Sequence, residues 1–258
     1  MAAEARACAP KWQAAKERFD RDGFAVVRGF ISGEDRDDWL GQIDRYMQQI
    51  APTLDPKYVF YEDKSRPETL LRAEGMDAFD DYFRLLKESG RCRQIAETLL
   101  GSPVAPQTVD IMGKAPRIGQ PTPPHQDAHY WPIDPADALT LWISIDKVDE
   151  KNGCVRYVKG SHRQPLRPHV KGGQLGFSQK LTDYGDADER EAEPVCLDPG
   201  DLAVHHCMTI HRADANPTNR MRRGLRIVYH ARHVKVDQQR GKAYADSLKA
   251  QWAKAGKL

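Results

Sequence analysis

The chain has 258 residues, a length at which an all-β barrel or sandwich forms one domain, so a single unit over 1–258 is expected. Lys plus Arg number 39 against 37 Asp plus Glu, a net charge of +2 with no long single-sign block, which excludes a basic nucleic-acid arm and an acidic tail. Five widely spaced cysteines lack a Cys-x-x-Cys pair and no run of about 18 apolar residues occurs, so we expect a reducing, cytoplasmic setting with neither nucleic acid nor membrane as partner.

Helical signals dominate up to about residue 101. "PKWQAAKERFDRDG" reads as a helix ending in Asp-Gly, "GFAVVRGF" as a short strand, and "SGEDRDDWLGQIDRYMQQI" as a helix with Ser32 at its N-cap and Asp35 in the capping-box position. Two more helices are expected around "MDAFDDYFRLLKESG" and "RCRQIAETLLG", each closed by a glycine suited to a left-handed C-cap. From about 102 to 235 the texture becomes strands and turns, with strands predicted at 106–114, 139–146, 154–158, 194–197, 202–211 and 223–230. Many short strands between Gly, Pro and Asp turns indicate a mainly β jelly-roll with flanking helices packed outside it. The polar stretch 163–194 is expected to be a flexible loop or partial lid, and 236–258 a helical tail.

The stretch "PTPPHQDAHYW" places His125 and Asp127 two apart, and on a strand such residues share one face. An imidazole nitrogen and a carboxylate oxygen suit Fe(II), Zn(II) or Mn(II), but two ligands rarely hold such an ion tightly. The best third ligand is His211, at the end of the strand "LAVHHCMTIH"; His205 and His206 compete from mid-strand, where a packed or hydrogen-bonded role is the alternative. Two histidines and a carboxylate would leave open coordination positions for chemistry. Thr140, Trp142 and Ser144 alternate with Leu141, Ile143 and Ile145, so the polar set should line the lumen. No phosphate-binding Gly-rich loop and no Gly-x-Ser-x-Gly elbow occurs, which removes nucleotide chemistry and serine hydrolysis.

Three ordered segments, "GKAPRIGQPTPPHQDAHYW", "LTLWISIDKVDEKNGCVRYVKGSHR" and "DPGDLAVHHCMTIHRADANPTNRMRRGLRIVYH", resemble the phytanoyl-CoA dioxygenase family of Fe(II)- and 2-oxoglutarate-dependent oxygenases; the likeness covers roughly 20–232. It implies a double-stranded β-helix, a cupin-like jelly-roll, with His125, Asp127 and His211 as the iron triad. It also implies that Arg222, eleven residues after His211, pairs with the far carboxylate of 2-oxoglutarate, with Trp142 and Thr140 beside the cosubstrate chain. A guanidinium suits a carboxylate bidentately; the neighbours Arg220, Arg223 and Arg226 are the alternatives. O2 would then be consumed with release of succinate and CO2. Because Asp127 occupies the position that related halogenases vacate for halide, hydroxylation is implied.

For a small-molecule substrate the residues say less. Lys114, Arg117, Arg163, Arg167, His169 and Lys171 suggest an anionic metabolite, Tyr58, Tyr61, Tyr130 and Trp131 could wall the pocket, and Ser161 and His162 are expected at its border. A non-oxidative cupin-type metal enzyme and a non-catalytic barrel remain as rival readings.

Overall fold

A computed structural model of the protein describes residues 2–63, 65–66, 69–88, 90–174, 177–239 and 241–242. Its helices are α1 (Ala2–Asp22), α2 (Gly33–Arg45), α3 (Met76–Phe79), α4 (Asp81–Glu88), α5 (Gly90–Leu100) and α6 (Asp186–Glu191). Its strands are β1 (Phe24–Val27), β2 (Val59–Tyr61), β3 (Leu70–Ala73), β4 (Val104–Lys114), β5 (Thr122–His125), β6 (Ile133–Asp134), β7 (Ala138–Ser144) and β8 (Val155–Val158). They continue with β9 (His169–Gln174), β10 (Phe177–Leu181), β11 (Ala192–Val195), β12 (Leu202–His206), β13 (His211–Ala213), β14 (Arg222–Ala231) and β15 (Lys235–Val236).

Two antiparallel sheets organise the chain: a seven-stranded sheet in the order β1-β12-β7-β14-β4-β3-β2 and a four-stranded sheet in the order β11-β8-β13-β5. Strand β7 shows what holds the layers together, because it is buried on both faces. Leu139, Leu141 and Ile143 join a core with Leu225 and Ile227 of β14, Ile111 of β4, and the helices. On α5, Cys92, Ile95, Ala96 and Leu99 recur at helical spacing and are buried in that core. Each such leucine or isoleucine contributes roughly 1.5–3 kcal/mol by leaving water. The opposite face of β7 carries Thr140, Trp142 and Ser144, and Trp142 packs with Tyr157, Cys154, Phe24 and Val195 between the sheets. This is the jelly-roll with outer helices that the sequence pattern predicts.

Several local expectations are corrected. Ser32 occupies the N-cap of α2 but makes no side-chain cap bond, and Asp35 pairs with Arg91 at 3.2 Å instead of closing a capping box. Gly101 is left-handed as expected (φ +62°), whereas Gly90 opens α5. The helix expected around 76–90 is broken at Asp80, whose backbone is extended. The strand expected over 202–211 is two strands, β12 and β13, in different sheets and joined by the 207–210 turn. The polar stretch 163–194, expected as a flexible loop or partial lid, carries the β9–β10 hairpin and α6. Of the expected helical tail, residue 240 and those from 243 onward lie outside the described residues, and its start belongs to β15, which pairs with β6.

Candidate active site

His125, Asp127 and His211 are brought together between the sheets, all buried, with one ligand atom from each lying within 4.8 Å of the others. The topology makes this meeting local despite the sequence separation. His211 begins β13 directly opposite His125 at the end of β5, and opposite Tyr157 of β8 on its other side. His125 and Asp127 do not share a strand: β5 ends at His125 and a tight turn, Asp127–His129, swings the carboxylate inward.

Each imidazole is oriented by a backbone carbonyl. Nδ1 of His125 lies 2.9 Å from the Pro123 carbonyl and Nδ1 of His211 lies 3.0 Å from that of Thr209. A carbonyl only accepts, so both Nδ1 atoms carry the proton and both Nε2 atoms present the lone pair with which an imidazole ligates a cation. Asp127 divides its oxygens. Oδ2 accepts from Thr140 Oγ1 at 2.9 Å and faces His205 Nε2 at 3.2 Å, while Oδ1 lies 3.5 Å from His125 Nε2 and 3.9 Å from His211 Nε2. Burial alone would raise the Asp127 pKa, but the imidazoles of His125 and His205 beside it hold it well below the usual carboxylate range. Burial, reinforced by His125 and His205, pushes the His211 pKa well down, which keeps its imidazole neutral and able to ligate. His205 is thus a hydrogen-bonding strand histidine inside the site. His206 points the other way, its ring 6.0 Å from Phe19.

The lumen face of β7 continues from the cluster toward Arg222. The Trp142 ring lies over Gly224, where an added methyl would overlap it, and Arg222 Cζ stands 4.5 Å from the centre of that ring. Arg222 is 4 % exposed, yet among the described residues its Nε and Nη2 have no acceptor; Tyr157 Oη, buried in the same layer, also has no partner among them. Burial pushes the Arg222 pKa down to about 10, still far above neutrality. A buried guanidinium without an acid is costly, and a carboxylate group supplied from outside the chain would satisfy it. The other arginines weighed for this place are committed elsewhere: Arg220 to Asp149, Arg223 to Asp146 and Arg226 to Asp110. The donor set near Asp127 suits iron, and the orphaned Arg222 suits a dicarboxylate.

The residues expected to meet the substrate do not gather in this way. Tyr130 bridges the site and the β9–β10 hairpin, its ring 5.8 Å from that of His125 and its Oη donating to the Gln179 carbonyl at 3.3 Å. Trp131 lies against His230, at 5.3 Å between ring centres, and Tyr58 packs on Phe79. His162, expected at the pocket border, faces the end of α1, with Nε2 3.2 Å from the Asp20 carbonyl. Ser161 instead anchors the approach to His211, bonding the Val158 carbonyl and the Ile210 N–H. Lys114 is buried beside Arg222 rather than placed at a substrate entrance. Arg117 bonds Asn219, Arg163 bonds the Arg21 carbonyl, and Arg167 is paired with Asp183 and Asp188. His169 accepts the Gln126 N–H, and the Lys171 side chain lies outside the described residues. Of that basic set, Arg117, Arg163 and Arg167 are engaged by groups of the fold itself. Sequence reasoning passed over Tyr157; its parity with Val155 on "CVRYV" was the available signal.

Comparisons with known proteins agree with this geometry. Residues 19–224 match the family model described as Phytanoyl-CoA dioxygenase (PhyH). A phytanoyl-CoA dioxygenase domain-containing protein 1 homolog of Caenorhabditis elegans is 24% identical, over 87% of this chain and 93% of its own length. A probable alpha-ketoglutarate-dependent hypophosphite dioxygenase of Stutzerimonas stutzeri is 28% identical, over 84% and 77% respectively. Among solved structures, EvdO2 from Micromonospora carbonacea var. aurantiaca complexed with 2-oxoglutarate superposes with a TM-score of 0.66 at 25% identity, covering 86% of this chain and 91% of that one. With most of its length matched and a His–Asp–His cluster facing an unsatisfied buried arginine, the chain belongs to the phytanoyl-CoA dioxygenase family and is an iron- and 2-oxoglutarate-dependent dioxygenase.

Proposed function

We propose that His125, Asp127 and His211 hold Fe(II), that Arg222 grips the distal carboxylate of 2-oxoglutarate, and that the enzyme hydroxylates an unactivated C–H bond of a small molecule. The observation that carries the cosubstrate assignment is Arg222, buried with two nitrogens lacking acceptors. When bound, iron and 2-oxoglutarate supply the oxidation: O2 gives one oxygen atom to the substrate and one to succinate, with loss of CO2.

The chain's own residues perform the positioning. The carbonyls of Pro123 and Thr209 fix the tautomers of the ligand histidines. Thr140 and His205 hold Oδ2 of Asp127, which leaves Oδ1 directed at those histidines. Trp142 forms a wall under Arg222, and the packed layer of Tyr157, Phe24 and Cys154 keeps water from the cosubstrate end. Thr140 thus orients the carboxylate. Among the described residues no helix is long and apolar enough to cross a membrane. The relatives' names include chemically unlike substrates, so fold alone does not select one here.

Anaerobic titration of the apoprotein with Fe(II) and then 2-oxoglutarate tests this reading through the weak visible charge-transfer band of the complex. The band is expected in the wild type and only at much higher 2-oxoglutarate in Arg222→Ala. Iron demonstrably bound with no band would reject the cosubstrate assignment in favour of non-oxidative metal chemistry. Succinate release with a panel of small molecules, coupled to detection of a hydroxylated product, then tests the hydroxylation.

A further inference from the structure

At one end of the chamber a second cation is buried beside Arg222. Lys114 ends β4 directly across from Arg222 on β14, and directly opposed residues of an antiparallel pair share a face. Lys114 is 2 % exposed. Its alkyl chain is confined between two glycines: a methyl added to Gly119 would come within 2.9 Å of Lys114 Cβ, and one added to Gly153 within 3.1 Å of its Cδ. The route of the side chain is therefore set by the backbone around it. Its Nζ donates to the Gln120 carbonyl, a neutral acceptor.

Neither cation has an acid of its own among the described residues. The charged groups facing Lys114 are Arg222 on β14, Glu62 after β2 and Asp214 after β13. Both acids are engaged by other groups. Glu62 accepts the Gln120 N–H at 3.0 Å, and Asp214 is paired with Arg156 and Arg212. Two like charges buried together without a counterion are destabilising, and the ammonium is the one that can shed its proton. Burial first, and then Arg222, push the Lys114 pKa down to about 7.

We propose that Lys114 is a second anchor for the distal carboxylate of 2-oxoglutarate and takes up a proton when that carboxylate binds. The proposal rests on the assignment of Arg222 to the same carboxylate. An arriving anion favours the ammonium form, so the Lys114 pKa is higher in the complex than in the free protein. Below the free pKa the lysine is charged in both states and affinity does not vary with pH. Between the free and bound values, binding consumes a proton, and affinity falls about tenfold for each pH unit of increase. A 2-oxo acid without the distal carboxylate has nothing for Lys114 to meet.

The test is calorimetric titration of the anaerobic Fe(II) protein with 2-oxoglutarate, at pH 6 and pH 8, in phosphate and in Tris, whose ionisation heats differ. Wild type is expected to take up about one proton at pH 8 and almost none at pH 6, and 2-oxopentanoate none at either. Lys114→Met should bind about tenfold or more weakly at pH 6 with no uptake at pH 8. Lys114→Arg, which keeps the charge and does not titrate, should bind well with a flat pH profile, and it guards against a folding defect in Lys114→Met. Equal heats in the two buffers at pH 8, or wild-type uptake retained in both variants, would overturn the role of Lys114 while leaving Arg222 as the anchor. If the charge-transfer band never forms in iron-loaded wild type, the Arg222 assignment falls and this proposal falls with it.

Discussion

Asp127 uses its two oxygens differently, and that asymmetry can be probed with single atoms. Thr140 Oγ1 donates to Oδ2 at 2.9 Å inside a layer with almost no exposure. Thr140→Val keeps the shape but removes the donor, so the carboxylate loses part of what orients it. Loss of such a supporting bond typically weakens metal binding about 10–100-fold. Competition with a chromophoric chelator should show that weakening in Thr140→Val and much less in Thr140→Ser; equal affinity in all three would mean that the bond does not orient Asp127. Gly224 offers a second probe. Its missing side chain is what admits the Trp142 ring beneath Arg222, so Gly224→Ala must displace that ring. The cost expected for forcing a methyl into such packing is about 1–3 kcal/mol of stability. The functional signature is a raised KM for 2-oxoglutarate with iron affinity retained. A variant that lost stability alone, with its KM unchanged, would show that Trp142 does not support the cosubstrate pocket.

Gln126, between two members of the triad, links elements rather than binding metal. It is fully buried: its Nε2 donates to the Met208 carbonyl at 2.8 Å, its Oε1 accepts the Arg167 N–H at 2.9 Å, and its own N–H meets His169 Nε2 at 3.1 Å. The β5 turn, the loop leading to His211 and the base of the β9–β10 hairpin therefore converge on one residue. Gln126→Ala should leave two backbone groups, the Met208 carbonyl and the Arg167 N–H, without their side-chain partner, and limited proteolysis should cut within 165–182 faster than in wild type, with metal affinity reduced as well. An unchanged cleavage rate would remove the proposed coupling. The sequence made some elements plain and concealed others for the same kind of reason. The alternation on β7 and the apolar spacing on α5 are long enough to read, and the spacing of His211 and Arg222 was legible through the family likeness. The break between β12 and β13 was not, because "CMTI" contains no Gly, Pro or Asn and suits a strand as well as a turn. Strands β2 and β3, of three and four residues, are too short for any period to show, and they acquire their structure by pairing onto the edge of the large sheet. Capping was over-read at Ser32 for a different reason: the residue type was right, but Asp35 found a tertiary partner in Arg91.

At the scale of the whole molecule, the candidate metal site joins the two sheets. His125 and His211 belong to strands of the four-stranded sheet, whereas Asp127 is held by Thr140 and His205 of the seven-stranded one. An ion shared by all three groups would draw the layers together at a point where the apoprotein has only a buried carboxylate and two imidazoles. Because the unfolded chain cannot present this set, binding adds to the stability of the fold. At a hundredfold excess over Kd the gain is about 2.7 kcal/mol. For a chain of this size that corresponds to a rise in Tm of roughly 5–11 °C. Differential scanning calorimetry of the chelator-treated protein, with and without Mn(II) or anaerobic Fe(II), measures it. His211→Ala should lose the metal-dependent rise while retaining a cooperative transition, since its partner β5 also carries the backbone pairing. A rise of equal size in that variant would locate the stabilising ion elsewhere, and the assignment of His211 would have to be withdrawn even if iron were found in the protein.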